Sequence, residues 1–383
     1  MTTMQNSIFS QNVVRADQTG AACLHIVDGQ IASIEETGSA PSGALDCGSD
    51  LLIPGLVDIH TDNLEKHYQP RPGALWDSMG AALAHDAQCA AAGITTVFDS
   101  LSLHGRKDGL DRKDALAPMI AGVDSAAQQG LLRADHWLHL RCEITNPELL
   151  GLLEPHLDNP RLRLLSVMDH TPGQRQTGNI DQFRARMMAS GKSEHELEEL
   201  LAARTDWRNQ DIAPSNRNTV VALAREFGIP LMSHDDATIE HIAESANDGC
   251  IAAEFPVSLG AAEKARELGL LTVMGAPNFV RGSSHSGNLS ARDCAAEGLL
   301  DVLSSDYVPL SMLRAAFMLM DAPFHWSAQA ALATVCKNPA RLAGLGDRGE
   351  IAVGQRADLV QIVRSTEGWP IPRAVWRQGM RVA

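Results

Sequence analysis

Between residues 52 and 345, apolar runs of strand length alternate with amphipathic runs of helical period, and the alternation recurs about eight times. The candidate strands are LVDIH, GITTVFDSL, HWLHLRCEIT, LRLLSVMDH, GIPLMSHDD, IAAEFPVS, LLTVMGAPN and LLDVLSSDY. Between them lie candidate helices over Ala81–Ala92, Lys113–Gln129, Ser193–Arg204, Asn218–Phe227, Ala261–Leu268 and Ala328–Leu342. Strand then helix, repeated at this length, predicts an α/β fold built as a parallel (β/α)8 barrel. A doubly wound sheet is the alternative, and it gathers ligands at one crevice instead of at many strand ends. The charged helical stretch SEHELEELLAARTDWRNQD reads as a solvated insertion.

The two chain ends differ from this middle. AACLHIVDGQIASIEE holds two strand-like runs about Asp28-Gly29, a dipeptide that favours a tight hairpin. GEIAVGQRADLVQIV and PRAVWRQGMRVA near the end are strand-like too. The reading is that residues 1–53 and 346–383 pair into one small β-sandwich domain, with the barrel, 54–345, inserted between them.

A net charge of −15 disfavours nonspecific binding to nucleic acid or to an anionic membrane. No apolar run approaches the ~18 residues of a membrane span. Seven scattered cysteines with no C-x-x-C pair predict free thiols and a cytoplasmic protein rather than a disulfide framework. A homodimer is compatible with the sequence.

Polar residues of metal-binding type close the candidate strands: His60 and Asp62, Glu143, His170, His234 and Asp306. In a barrel these ends converge on one face. Taken singly, each has an ordinary explanation. A histidine after a strand is commonly a hydrogen-bonded boundary residue, Asn63 and Asp236 read as helix caps, and Glu143 can pair with Arg141 on the same strand face. As a set, nitrogen and oxygen donors without thiolate suit one or two divalent ions, with Zn²⁺ or Mn²⁺ favoured. Two ions are expected, with Glu143 as their bridge. Asp306 is the expected base toward the attacking water.

LLIPGLVDIH, the strand-end histidines, LSSDY and KNPARLAGLGDRGEIAVGQRADLVQIV resemble the amidohydrolase superfamily over essentially the whole chain. The resemblance implies a metal-dependent hydrolase with a (β/α)8 barrel and a small β-sandwich from both chain ends. Two positions depart from the general pattern: His60-Thr61-Asp62 replaces His-x-His, and Glu143 stands where a carboxylated lysine is frequent. Glu143 also falls on the third candidate strand, whereas the superfamily bridge lies on the fourth. HTDNLEKHYQPRPGALW, RCEIT, MDHTPGQRQ, SHDDAT, EFPVS and GAPNFVRGSSHSGN are similar to the phosphonate-catabolism subfamily. That resemblance implies hydrolysis of α-D-ribose 1-methylphosphonate 5-triphosphate to the 5-phosphate and pyrophosphate.

A nucleotide-like sugar triphosphate meeting so acidic a chain needs local cations. Lys66, His67, Arg71, Arg175, Arg281 and His285 are the candidates, with Gly282, Ser283, Ser284 and Gly287 allowing close backbone contact and a helix starting near Ser290. His85, on the first barrel helix, is a candidate to orient a site residue from behind, with packing the favoured reading. Two rivals stand: an ordinary amidohydrolase cleaving C–N bonds, and a barrel that has lost its activity and serves as a scaffold.

Overall fold

The computed structural model describes residues 5–107, 110–171, 175, 180–189, 191–209, 211–284 and 287–383. Eight parallel strands follow one another in chain order: Leu56–Thr61, Ile94–Ser102, Asp135–Glu143, Leu162–Met168, Leu231–His234, Ala252–Glu254, Leu271–Gly275 and Val302–Ser304. The eighth returns to the first through a parallel bridge between Thr61 and Asp306, which closes the ring. Sequential order with closure is the barrel, not the doubly wound sheet. Every residue of the second strand is buried, as expected of a parallel strand covered on both faces.

The barrel interior is a packed core with no open pore. Val57, Ile59, Phe98, Leu164, Met232, Ala252, Val273 and Val302 meet there with Trp137, with Leu342 at the end of the last helix and with Leu345 just beyond it. Between the fourth and fifth strands lie Ile180–Ala189, Glu194–Asn209 and Ile212–Glu226, so the charged stretch is indeed a helix within a longer excursion. The expected helix over 328–342 is two helices, Ala328–Ala333 and Lys337–Leu342, with Pro339 in the first turn of the second. Proline is tolerated there because a first-turn N–H has no intrahelical acceptor to lose.

Both chain ends share a second, eight-stranded sheet. Its centre is Leu51–Pro54, paired antiparallel with Leu359–Arg364 on one side and parallel with Gln5–Val14 on the other. The hairpin at Asp28-Gly29 has both residues at positive φ, 49° and 82°, the mirror-image turn that suits strand twist. Asp135, the first residue of the third barrel strand, receives Arg348, Arg356 and Arg377 and fastens this sheet to the barrel. No helix among the described residues is long and apolar enough to cross a membrane.

Candidate metal centre

The site begins at the seam between the first and eighth strands. Buried Asp58 takes the backbone N–H of His60 at 3.3 Å and of Ser305 at 3.0 Å on one oxygen. Asp306 N donates to His60 O at 3.0 Å, and Asp62 N donates to Asp306 O at 2.7 Å. Asp306 has φ 54°, a left-handed conformation that costs a non-glycine residue about 1 kcal/mol and persists because these bonds fix it. The result gathers one donor atom each from His60, Asp62 and Asp306 within 4.8 Å.

A second triplet, His170, His234 and Asp235, meets the same criterion. The carboxylates behind the histidines set which ring nitrogen faces the mouth. His60 Nδ1 and His234 Nδ1 lie 2.7 and 2.6 Å from the two oxygens of Glu254, and His170 Nδ1 lies 2.7 Å from Glu143. A carboxylate only accepts, so each Nδ1 carries a proton, which leaves Nε2 as the ring nitrogen available to an ion.

Whether these residues suit an ion is decided by spacing. Two donors on one tetrahedral ion with ~2.1 Å bonds stand ~3.4 Å apart, whereas a charge-assisted hydrogen bond is ~2.7–2.9 Å. His170 Nε2 and His234 Nε2 lie 3.3 and 3.4 Å from Asp235, and His60 Nε2 lies 3.6 Å from Asp62. These are ligand-to-ligand separations, while the Nδ1 contacts are hydrogen bonds. Among the described residues neither oxygen of buried Asp235 meets a hydrogen-bond donor, a condition that a cation relieves. The residues fit a divalent metal.

Glu143 is on the third strand and spends both oxygens on protein donors, His170 N and Thr145 Oγ1 on one and His170 Nδ1 on the other. Burial pushes its carboxyl up, but His170 outweighs this and holds it at about 2. Burial raises Asp306 to about 6, with the charge of Asp62 adding to it. His139, deeper in the barrel between Ser100, Ser166 and Ile59 O, is driven by burial down to about 3 and is a neutral packing residue.

Arg141 pairs with Asp62, not with Glu143. Asn63 and Asp236 are not caps: Asn63 opens the helix Asn63–Tyr68 and turns its amide to Gln88, and Asp236 accepts from Arg175 and Ser245. At Asp236, competition from the buried donors Arg175 and Ser245 overrides the local capping preference. Thr238 caps the following helix instead.

Among the substrate candidates, Lys66 Nζ donates to Tyr307 O at 2.8 Å, beside Asp306. Arg281 lines one cavity with Asp235, Asp306, Tyr307, Asn278 and Ser284. Arg71 is exposed in a turn closed by Ala74 N. Arg175 is buried against Asp236, which takes its guanidinium into the protein. His285 lies outside the described residues. Ser290 caps the helix Ala291–Ala296.

Three site groups were missed by the sequence reading: Asp58, Asp235 and Glu254. Glu254 ends the sixth strand and obeys the strand-end rule that singled out Glu143. His85 is more than packing: it joins Asp99 at 3.0 Å, and Asp99 joins His136 at 2.9 Å, all fully buried between sheet and helix. By the same spacing criterion this second cluster is hydrogen-bonded.

Paired nitrogen–oxygen donor sets at the mouth of a (β/α)8 barrel, beside a sheet made from the chain ends, define the metal-dependent barrel hydrolases. The chain belongs to the amidohydrolase family, whose sequence profile matches residues 170–379. It is 41% identical over 376 residues to the alpha-D-ribose 1-methylphosphonate 5-triphosphate diphosphatase of Escherichia coli (strain K12), spanning 97% of this chain and 98% of that protein. In fold it resembles N-acetyl-D-glucosamine-6-phosphate deacetylase from Mycobacterium smegmatis, with a TM-score of 0.66 at 15% identity over 99% of each chain. The 5-methylcytosine deaminase of Klebsiella pneumoniae gives 0.65 at 15% identity over 98% of each chain.

Proposed function

We propose that the chain hydrolyses α-D-ribose 1-methylphosphonate 5-triphosphate to α-D-ribose 1-methylphosphonate 5-phosphate and pyrophosphate. The observation that carries this reading is the 41% identity to the Escherichia coli diphosphatase along nearly the full length of both chains. Fold likeness alone would serve the C–N hydrolases equally. Two divalent ions, Zn²⁺ or Mn²⁺, are assigned to the two triplets. When bound they supply charge for the phosphoryl oxygens and make the attacking water acidic.

The chain's own residues do the rest. His60, Asp62 and Asp306 would hold one ion; His170, His234 and Asp235 would hold the other. Glu254 and Glu143 fix the histidine tautomers, which gives Glu143 an orienting task in place of the bridging one expected from sequence. Asp306 takes the water proton as its oxygen bonds to the α-phosphorus, the bond from that phosphorus to the α,β-bridging oxygen breaks, and pyrophosphate departs. Lys66 and Arg281, both beside Tyr307, bind the leaving pyrophosphate. Free, buried thiols at all seven cysteines suit work in the cytoplasm.

The test is ³¹P NMR of metal-reloaded enzyme with the triphosphate. Pyrophosphate and one phosphomonoester are the expected products. Release of orthophosphate refutes the bond assignment, and failure to cleave any phosphoanhydride returns the chain to C–N hydrolysis.

A further inference from the structure

Arg141 is a buried cation inside the site that belongs to neither donor triplet, although it donates to Asp62 of one of them. On the third strand His139, Arg141 and Glu143 occupy alternate positions and so share the inward face. Arg141 therefore stands between the barrel floor and the mouth, only 8% exposed. Its NH1 donates to Asp62 at 2.6 Å, its NH2 lies 3.3 Å from His234 Nε2, and among the described residues Nε meets no acceptor. Burial works against this charge, and Asp62, Glu254, Glu65 and Asp235 more than offset it. A guanidinium cannot shed its proton to escape the cost.

The contact with His234 is the informative one. Because His234 gives its Nδ1 proton to Glu254, its Nε2 has a single lone pair, and Arg141 NH2 occupies it. A divalent ion bound by His234 needs that same lone pair. The two cannot share it. Once an ion is seated, Arg141 NH2 keeps a buried N–H and loses its acceptor, which is unfavourable unless a new acceptor arrives. The new acceptor must lie between Asp62 and His234, in the space flanked by the two triplets. A non-bridging phosphoryl oxygen is anionic and matches the guanidinium fork.

Building on the function assigned above, we propose that Arg141 is a catalytic residue. It exchanges its hydrogen bond to His234 for a non-bridging oxygen of the phosphoryl group under attack, and so acts as a further cation beside the ions. It transfers no proton, and the bonds made and broken are those of the hydrolysis.

The idea predicts opposite effects on metal and on turnover, which a merely structural arginine would not give. Arg141→Met removes a competitor for the His234 lone pair and a positive charge close to both ions. Co²⁺ measured by chelator competition is expected to bind at least about ten-fold tighter. At saturating metal, kcat for the triphosphate is expected to fall about 10²–10³-fold. Arg141→Lys, which keeps the charge without the fork, is expected to recover part of kcat, and it carries the test if the Met variant does not fold. Weaker Co²⁺ binding in parallel with lost turnover would make Arg141 a prop for Asp62 and overturn the proposal. Unchanged kcat would overturn it too. Absence of phosphoanhydride cleavage by the unsubstituted enzyme refutes the assigned reaction and is seen separately from the Co²⁺ result.

Discussion

Glu254→Gln changes one atom type in a fully buried side chain, and the structure dictates an asymmetric outcome. The carboxylate accepts from His60 Nδ1 on one oxygen at 2.7 Å and from His234 Nδ1 on the other at 2.6 Å. Glutamine has one oxygen and one NH2, so it can accept from only one of them. The second histidine then faces an N–H donor and must present a lone pair at Nδ1. Its proton moves to Nε2, where the ion should bind. Each lost charge-assisted bond is worth about 1.5–3 kcal/mol, and loss of an orienting partner lowers metal affinity about 10–100-fold, or about 1.4–2.7 kcal/mol. Because the histidines belong to different triplets, one ion should weaken by that factor while the other keeps close to its original affinity. Equilibrium dialysis against graded free Zn²⁺, with metal content read by mass spectrometry, separates the two events; a thermal melt checks the fold. Two sites at unchanged affinity, or two sites weakened equally, would refute the tautomer argument.

The buried His85–Asp99–His136 line gives a pH signature. Burial lowers His136, but Asp99 and Asp86 overcome it and hold it at about 9. A histidine raised in the folded state stabilises fully below its unfolded value of ~6.5 and ceases to do so as pH rises through about 9. Urea midpoints should therefore fall between pH 7 and 10 in the unsubstituted protein and fall less in His136→Gln; parallel slopes would remove the charge from His136. Gly122 sits where the helices Ser78–Ala91 and Arg112–Gln128 touch, and an added Cβ would come 2.4 Å from Ser78 O. Gly122→Ala gains about 1 kcal/mol of helix propensity, yet overpacking against backbone costs typically 1–3 kcal/mol. Net destabilisation in urea unfolding is the expected result, and a more stable variant would show that the helices can part freely.

The barrel was legible in the sequence because alternation of strand and helix leaves a periodic trace, and His60, His170 and His234 were legible because each ends such a run. What stayed hidden depends on partners remote in sequence. Asp58 looks like a polar break in an apolar strand until Ser305 is brought against it. Glu254 lies inside the apolar run IAAEFPVS, which extends past it in sequence, whereas the strand itself stops at Glu254. Asp235 and Asp236 are adjacent and chemically equal, and only the fold sends one to the histidines and the other to Arg175. Arg141 could pair with its strand neighbour Glu143, but three-dimensional proximity to Asp62 prevails. His85 reads as a helix residue because Asp99 and His136 lie on two separate strands.

The seam at Asp58 ties the enzyme's chemistry to the completion of its own making. Asp58 and Ser305 are 247 positions apart, and that contact sets both His60 and the residue before Asp306. A ribosome exposes His60 and Asp62 early, but their third companion emerges only with the last strand, and loop closure over such a span comes late. A chain released before its eighth barrel strand therefore lacks the complete first triplet, however well the earlier strands are paired.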